Sequence, residues 1–200
     1  MAKIEFFFDC SSPWTYLAFH NIQPLAAAHE AKIVWRPILV GGVFNAVNDR
    51  VYRDRAEPVP VKDTYLTKDL ADWARAAGIA IKWRPSIFPI NSVRAMRGCI
   101  VADDHGMLPL HARLIFEAYW RDDRDIASDA VLREIASGSG LDPDAYMDAI
   151  ASPAIKDRLR ANVDALISRG GFGSPTMFVN GDDMYFGNDR LPLLERALSR

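Results

Sequence analysis

Cysteine is scarce in this sequence. Two occur in 200 residues, Cys10 and Cys99, too few and too far apart for a disulfide framework. Each, taken alone, reads as a small buried hydrophobe. No apolar run approaches the roughly 20 residues that a membrane-spanning helix needs, so no membrane partner is expected. Excess charge is also missing. The formal net charge is −2, which removes the electrostatic reason to expect nucleic acid or an anionic membrane surface. Basic pairs occur only among acids, as in Arg121-Asp122-Asp123-Arg124-Asp125, a solvated loop or helix end. His20, His29, His105 and His111 show no metal-ligand spacing and read as helix or surface residues, so no metal is expected. The first nine residues lack the long apolar core and cleavage site of a secretory signal, which makes the cytoplasm the expected location. Gly170, Gly171 and Gly173 do not follow a phosphate-loop pattern and read as turn chemistry.

Half of the residues are hydrophobic, enough for one sizeable core with an inserted subdomain. Lys3–Asp9 (KIEFFFD) reads as a strand whose apolar run suits a sheet covered on both faces. A helix follows from Pro13 to Ala28, with Pro at its first position and Ser12 as N-cap. Lys32–Leu39 is a second strand, which makes a βαβ start. From about Lys62 to Arg169 the pattern is helical almost throughout. Strands return as a hairpin over Ser174–Gly187, around the turn Asn180-Gly181-Asp182-Asp183, and a helix over Asp189–Leu198 closes the chain. The two ends must pair in space. The expected class is α/β, a thioredoxin-like fold with an all-helical insertion of the DsbA/kappa-class type. Residues 1–60 and 170–200 form the discontinuous thioredoxin-like domain, and 61–169 the insertion.

Redox proteins of thioredoxin type carry Cys-x-x-Cys at the N-terminus of the first helix, where the helix dipole lowers the pKa of a thiol. Here that register reads Ser12-Pro13-Trp14-Thr15, so dithiol exchange is not available there. Cys10 lies two residues earlier and has no partner at that spacing. A hydroxyl at Ser12 can cap the helix, and can equally donate a hydrogen bond to a thiolate brought by a small molecule. Pro175 sits where thioredoxin-like folds carry a cis peptide bond, which exposes the preceding residue's main chain to an extended peptide. Asn188 and Asp189 precede a helix. A carboxylate there caps it or grips an ammonium group.

Four segments in this order and spacing, "FFFDCSSPWTYLA", "RPILVGGVFNAVN", "FPINSVRAMRG" and "GGFGSPTMFVNGDDMYFGNDRL", resemble the 2-hydroxychromene-2-carboxylate isomerase family, related to kappa-class glutathione transferases and to DsbA. The resemblance covers nearly the whole chain. It implies glutathione as catalytic cofactor, a small aromatic carboxylate as substrate, and a homodimer. The family reaction interconverts 2-hydroxychromene-2-carboxylate and trans-o-hydroxybenzylidenepyruvate in the breakdown of naphthalene-like compounds, by reversible thiolate addition. The resemblance places the catalytic serine at Ser12 and the γ-glutamyl-binding pair at Asn188 and Asp189. The main-chain contact falls at Ser174, before Pro175. The family Asn after the GGVF loop falls on Asn48, with Asn45 as the competing alignment, and a glutathione-holding basic residue on Lys62. The chain departs from the family pattern at Ser174, where a bulkier aliphatic residue is more common, and at Cys10. Trp14, Phe44, Trp83 and Phe88 are candidates for an apolar wall around the substrate ring. Lys62, Arg84 and Arg94 are candidate cations for its carboxylate. The rival expectations are a kappa-like glutathione transferase that keeps its adduct, an oxidoreductase working through Cys10, and a non-catalytic binding module.

Overall fold

The computed structural model describes residues 2–199. Strands β1 (Lys3–Phe8), β2 (Lys32–Pro37), β3 (Thr176–Val179) and β4 (Asp183–Phe186) form one sheet in the order β2-β1-β3-β4. β1 and β2 are parallel, joined by helix α1 (Pro13–Ala28). β3 runs antiparallel to β1, with Phe7 opposite Thr176, and antiparallel to β4. The remaining helices are α2 (Val40–Val47), α3 (Arg50–Ala56), α4 (Pro60–Ala77), α5 (Val93–Asp104), α6 (Leu108–Phe116), α7 (Asp129–Gly138), α8 (Pro143–Ala151), α9 (Pro153–Ser168) and α10 (Leu191–Leu198). A π-helical turn, Glu117–Arg121, follows α6, and a 3-10 turn, Asn188–Arg190, leads into α10.

Successive strand side chains point to opposite faces. Ile4, Phe6 and Phe8 therefore join the main core with Phe19 of α1 and Phe116 of α6, while Phe7 and Phe178 pack with Val163 and Leu166 of α9. Both faces are covered, so every residue from Ile4 to Phe8 is buried, the one charged member, Glu5, with its carboxylate accepting from Arg36 at 3.1 Å and Arg169 at 3.3 Å. α5 to α8 contribute to the same core as β1 and α1. α9 covers the second face of the sheet, where Asn162 Nδ2 donates to the Pro37 carbonyl at 2.9 Å.

Two segments differ from the sequence reading. The Gly41-Gly42 stretch, expected as a loop, begins a helix. Its glycine pair and valines carry a weak helical signal. The helix start is held instead from a distance, by Asp9 Oδ2 accepting from the Val40 N–H at 2.8 Å. The helical middle is also interrupted over residues 78–92. Gly78 ends α4 at φ +68°, and Pro85 and Pro89 prevent its resumption. This segment is pinned all the same. Asp123 accepts from Lys82 Nζ at 2.5 Å and from the Ser86 N–H at 2.6 Å, and Tyr119 donates to the Ile87 carbonyl at 2.8 Å. Those donors hold the Asp123 carboxyl down at about 2. Among the described residues no helix is long and apolar enough to cross a membrane, and no cluster of His, Cys, Asp or Glu is placed to hold a metal ion.

Candidate active site

Ser12 is the N-cap of α1, and its Oγ accepts from the Thr15 N–H at 3.2 Å. Capping uses a lone pair and leaves the hydroxyl proton free to donate. Pro13 has no N–H, and the Trp14 N–H lies too early in the helix to find a partner within it. The start of α1 therefore offers a hydroxyl, an amide and the positive end of the dipole at one place, the requirements for holding an anion such as a thiolate. The capping and functional readings of Ser12 are compatible.

The turn before α1 is braced from below by Asp9, a residue the sequence analysis passed over. Its carboxylate is buried. Oδ1 accepts from the Ser11 N–H at 2.9 Å, and Oδ2 accepts from the Val40 N–H at 2.8 Å and the Ser92 hydroxyl at 3.1 Å. Burial pushes the Asp9 pKa up, and the Ser11, Val40 and Ser92 donors oppose that rise. One carboxylate thus ties together the turn before α1 and the starts of α2 and α5. Ser174, the departure from the family pattern, has a role in the same brace. Its Oγ accepts from the Asp9 N–H at 3.0 Å and lies 2.8 Å from Thr15 Oγ1. The Ser174–Pro175 bond is cis. The helical side contributes Trp120, whose indole N–H donates to the Cys10 carbonyl at 2.8 Å from within the π-helical turn.

Two cavities meet along Trp14, Ser174 and Phe186. The smaller, about 440 Å³, is lined by Ser174, Pro175, Asn188 and Asp189, with Tyr65, Asp69 and Trp73 of α4 opposite. Asn188 is 4% exposed, and neither its amide nitrogen nor its oxygen has a hydrogen-bond partner. Asp189 does not cap α10; it pairs with Arg190 at 2.5 Å. The Ser174 main-chain N–H and carbonyl form no hydrogen bond among the described residues. The larger cavity, about 610 Å³, is lined by Ser12, Trp14, Phe44, Asn48, Trp83, Arg84 and Phe88. Trp83 stacks on the buried Trp120 with centroids 6.2 Å apart and meets Phe88 edge-on at 5.2 Å. Asn48 Nδ2 donates to the Phe172 carbonyl at 3.2 Å, and Phe172 packs on Phe186 at 4.5 Å. Gly173 is needed there, since a Cβ would stand 2.7 Å from the Phe186 ring.

The fold thus brings Ser12, Trp14, Phe44, Asn48, Trp83, Arg84, Phe88, Ser174, Pro175, Asn188 and Asp189 around one cleft. Lys62 is exposed on the first turn of α4 and lines neither cavity. Arg94 is engaged elsewhere, with Asp129 and the Ala127 carbonyl. Asn45 receives the Tyr52 hydroxyl at 2.7 Å and lines neither cavity. Cys10 is wholly buried and lines neither cavity. Burial, with Asp9 and Cys99 nearby, pushes its thiol pKa well up, so it is a poor nucleophile.

Residues 3–199 match the family described as DsbA-like thioredoxin domain. The chain is 32% identical to the 2-hydroxychromene-2-carboxylate isomerase of Pseudomonas sp. (strain C18), over 98% of this chain and 89% of that protein. It is 24% identical to glutathione S-transferase kappa 1 of Homo sapiens, over 98% and 90% of the two chains. A solved structure of a 2-hydroxychromene-2-carboxylate isomerase superposes with a TM-score of 0.85 at 30% identity, covering 99% of this chain and 95% of that one.

Proposed function

This chain belongs to the DsbA-like thioredoxin domain family and, within it, to the 2-hydroxychromene-2-carboxylate isomerase family, and from that membership we propose that it is a glutathione-dependent isomerase of 2-hydroxychromene-2-carboxylate. The observation that carries the glutathione reading is Asn188. A buried amide with both polar atoms unpartnered costs stability unless a ligand completes it. It shares its cavity with the Asp189 carboxylate and the unpaired main chain of Ser174. Together they fit a γ-glutamyl peptide, with amide and carboxylate for the α-amino acid end and main chain for the peptide link. When bound, glutathione supplies a thiolate that adds reversibly to the conjugated β-carbon and turns a fixed double bond into a rotatable single bond.

The protein's own residues do the rest. Ser12 donates its hydroxyl to the sulfur, and the start of α1 favours the anionic form. Asp9 and Ser174 hold that turn in place. Phe44, Trp83 and Phe88 wall the larger cavity and exclude water from an aromatic substrate, with Trp83 and Phe88 set on a segment pinned by Asp123 and Tyr119.

The test follows the ultraviolet spectrum of 2-hydroxychromene-2-carboxylate with enzyme, with and without glutathione. Rapid approach to the isomer mixture is expected only with glutathione. Ser12→Ala should lower kcat by roughly 100-fold, the scale of losing one donor to a developing or fixed anion. An unchanged spectrum with folded, glutathione-binding protein would replace this reading with conjugation of electrophiles.

A further inference from the structure

The cations around the larger cavity are not equivalent. Arg84 lines it, but Asp63 lies 3.0 Å from its guanidinium. That group also lies over the Trp83 and Phe88 rings, 5.4 and 5.8 Å from their centroids, so Arg84 serves as part of the wall. Arg55 of α3, which the sequence analysis did not single out, is placed differently. It lines both the larger cavity and an adjoining one of about 290 Å³, and shares Phe44 and Phe88 with both. Its guanidinium is 5.6 Å from the Phe44 centroid. No carboxylate among the described residues lies within ion-pair distance of it. The two acids in the same lining are matched by other arginines, Asp63 by Arg84 at 3.0 Å and Asp54 by Arg50 at 3.7 Å. Of the two arginines in this lining, Arg55 is therefore the one without a carboxylate partner among the described residues, and it stands against an aromatic wall.

We propose that Arg55 takes the carboxylate of the substrate, so that the cavity selects planar aromatic carboxylates over neutral electrophiles of the same shape. The proposal rests on the reading of this cavity as the substrate site. Guanidinium and carboxylate match as a two-pronged, charge-assisted pair, and the ring then lies along Phe44 and Phe88. Such a pair gives the cleft a means of preferring substrates that carry an anion on the conjugated chain, where the related transferases conjugate electrophiles. α3 buries none of its residues, so substitution at Arg55 leaves the core intact.

The experiment is calorimetric titration of the glutathione-saturated protein with trans-cinnamate and with cinnamamide, an anionic and a neutral probe of one shape. The wild type should bind the acid roughly 10- to 100-fold more tightly than the amide, the scale of one hydrogen-bonded charge pair. Arg55→Gln should abolish that preference with glutathione affinity unchanged, and Arg55→Lys should restore part of it. The proposal is overturned if Arg55→Gln keeps the preference, if Arg84→Gln removes it instead, if cinnamate does not bind, or if Arg55→Gln weakens glutathione. Turnover separates this proposal from the reading beneath it. Isomerisation without a preference for the acid removes Arg55 and leaves the isomerase; a preference without isomerisation leaves Arg55 and removes the reaction.

Discussion

His111 in the helical core and Asn188 at the edge of the cleft are both buried polar residues, and they are held in opposite ways. His111 is 0% exposed, with Nδ1 2.9 Å from Ser139 Oγ and Nε2 3.2 Å from the Tyr146 hydroxyl. Ser139 in turn donates to carbonyls of α7, so the chain is satisfied when Nδ1 carries the imidazole proton and Nε2 accepts from Tyr146. Gly98 makes room for it, since a Cβ there would stand 1.8 Å from the Tyr146 oxygen. Asn188 has no partner for either amide atom and faces a cavity. A complete polar network serves the fold. An incomplete one beside a cavity leaves a donor and an acceptor open to a ligand.

The largest test of that contrast is His111→Leu. It strands the Tyr146 hydroxyl and should cost about 3 kcal/mol in urea unfolding, with glutathione affinity unchanged. A weaker binding of glutathione would break the comparison, because His111 would then serve the site as well.

Protonation sharpens the same point. Burial lowers the His111 pKa from 6.5 to about 4, so the unfolded chain binds this proton more readily than the folded protein. The contribution is complete above about pH 6.5 and is lost as pH falls towards 4. By pH 5 the loss, relative to pH well above 6.5, amounts to about 2 kcal/mol. The stability difference between wild type and His111→Leu, followed by unfolding at several pH values, should shrink by that amount. A constant difference would mean that burial leaves the pKa of the ring unshifted, so that it takes up a proton as readily in the folded protein as in the unfolded chain.

Asn188→Leu has the smallest effect on stability and the opposite sign. Removing an unpartnered buried amide should leave the ligand-free protein as stable or more stable by about 1 kcal/mol. Glutathione should bind at least about tenfold more weakly, seen as a lost thermal shift. A destabilised variant with normal glutathione binding would make Asn188 a second His111.

Much of the side proposed for glutathione could be placed from the sequence because it is built from element ends with local signatures. Ser12 before Pro13, Pro175 at a strand start and the Asn188-Asp189 pair each announce themselves within a few residues. The other side of the cleft was less so. α2 and α3 carry weak helical signals, and α3 buries nothing, so Arg55 had no periodicity to place it while Lys62 and Arg94 looked as available as Arg84. Ser174 looked like a departure with no compensation until its hydroxyl met Asp9 and Thr15.

The sequence by itself determined the strand that is covered on both faces, the helix capped by Ser12, the closing hairpin and the absence of a Cys-x-x-Cys, because alternation, capping and turn chemistry act between near neighbours. Only the tertiary structure decided that Asp9 braces the turn before α1, that Trp120 anchors the Cys10 carbonyl, that Cys10 is sealed in the core, and that Arg55 rather than Arg84 lacks a carboxylate partner. The Asp9–Ser92, Cys10–Trp120 and Asp9–Ser174 bonds join residues 83, 110 and 165 apart. No local pattern encodes such partners, since each exists only once the chain has folded back and brought a donor to a buried acceptor.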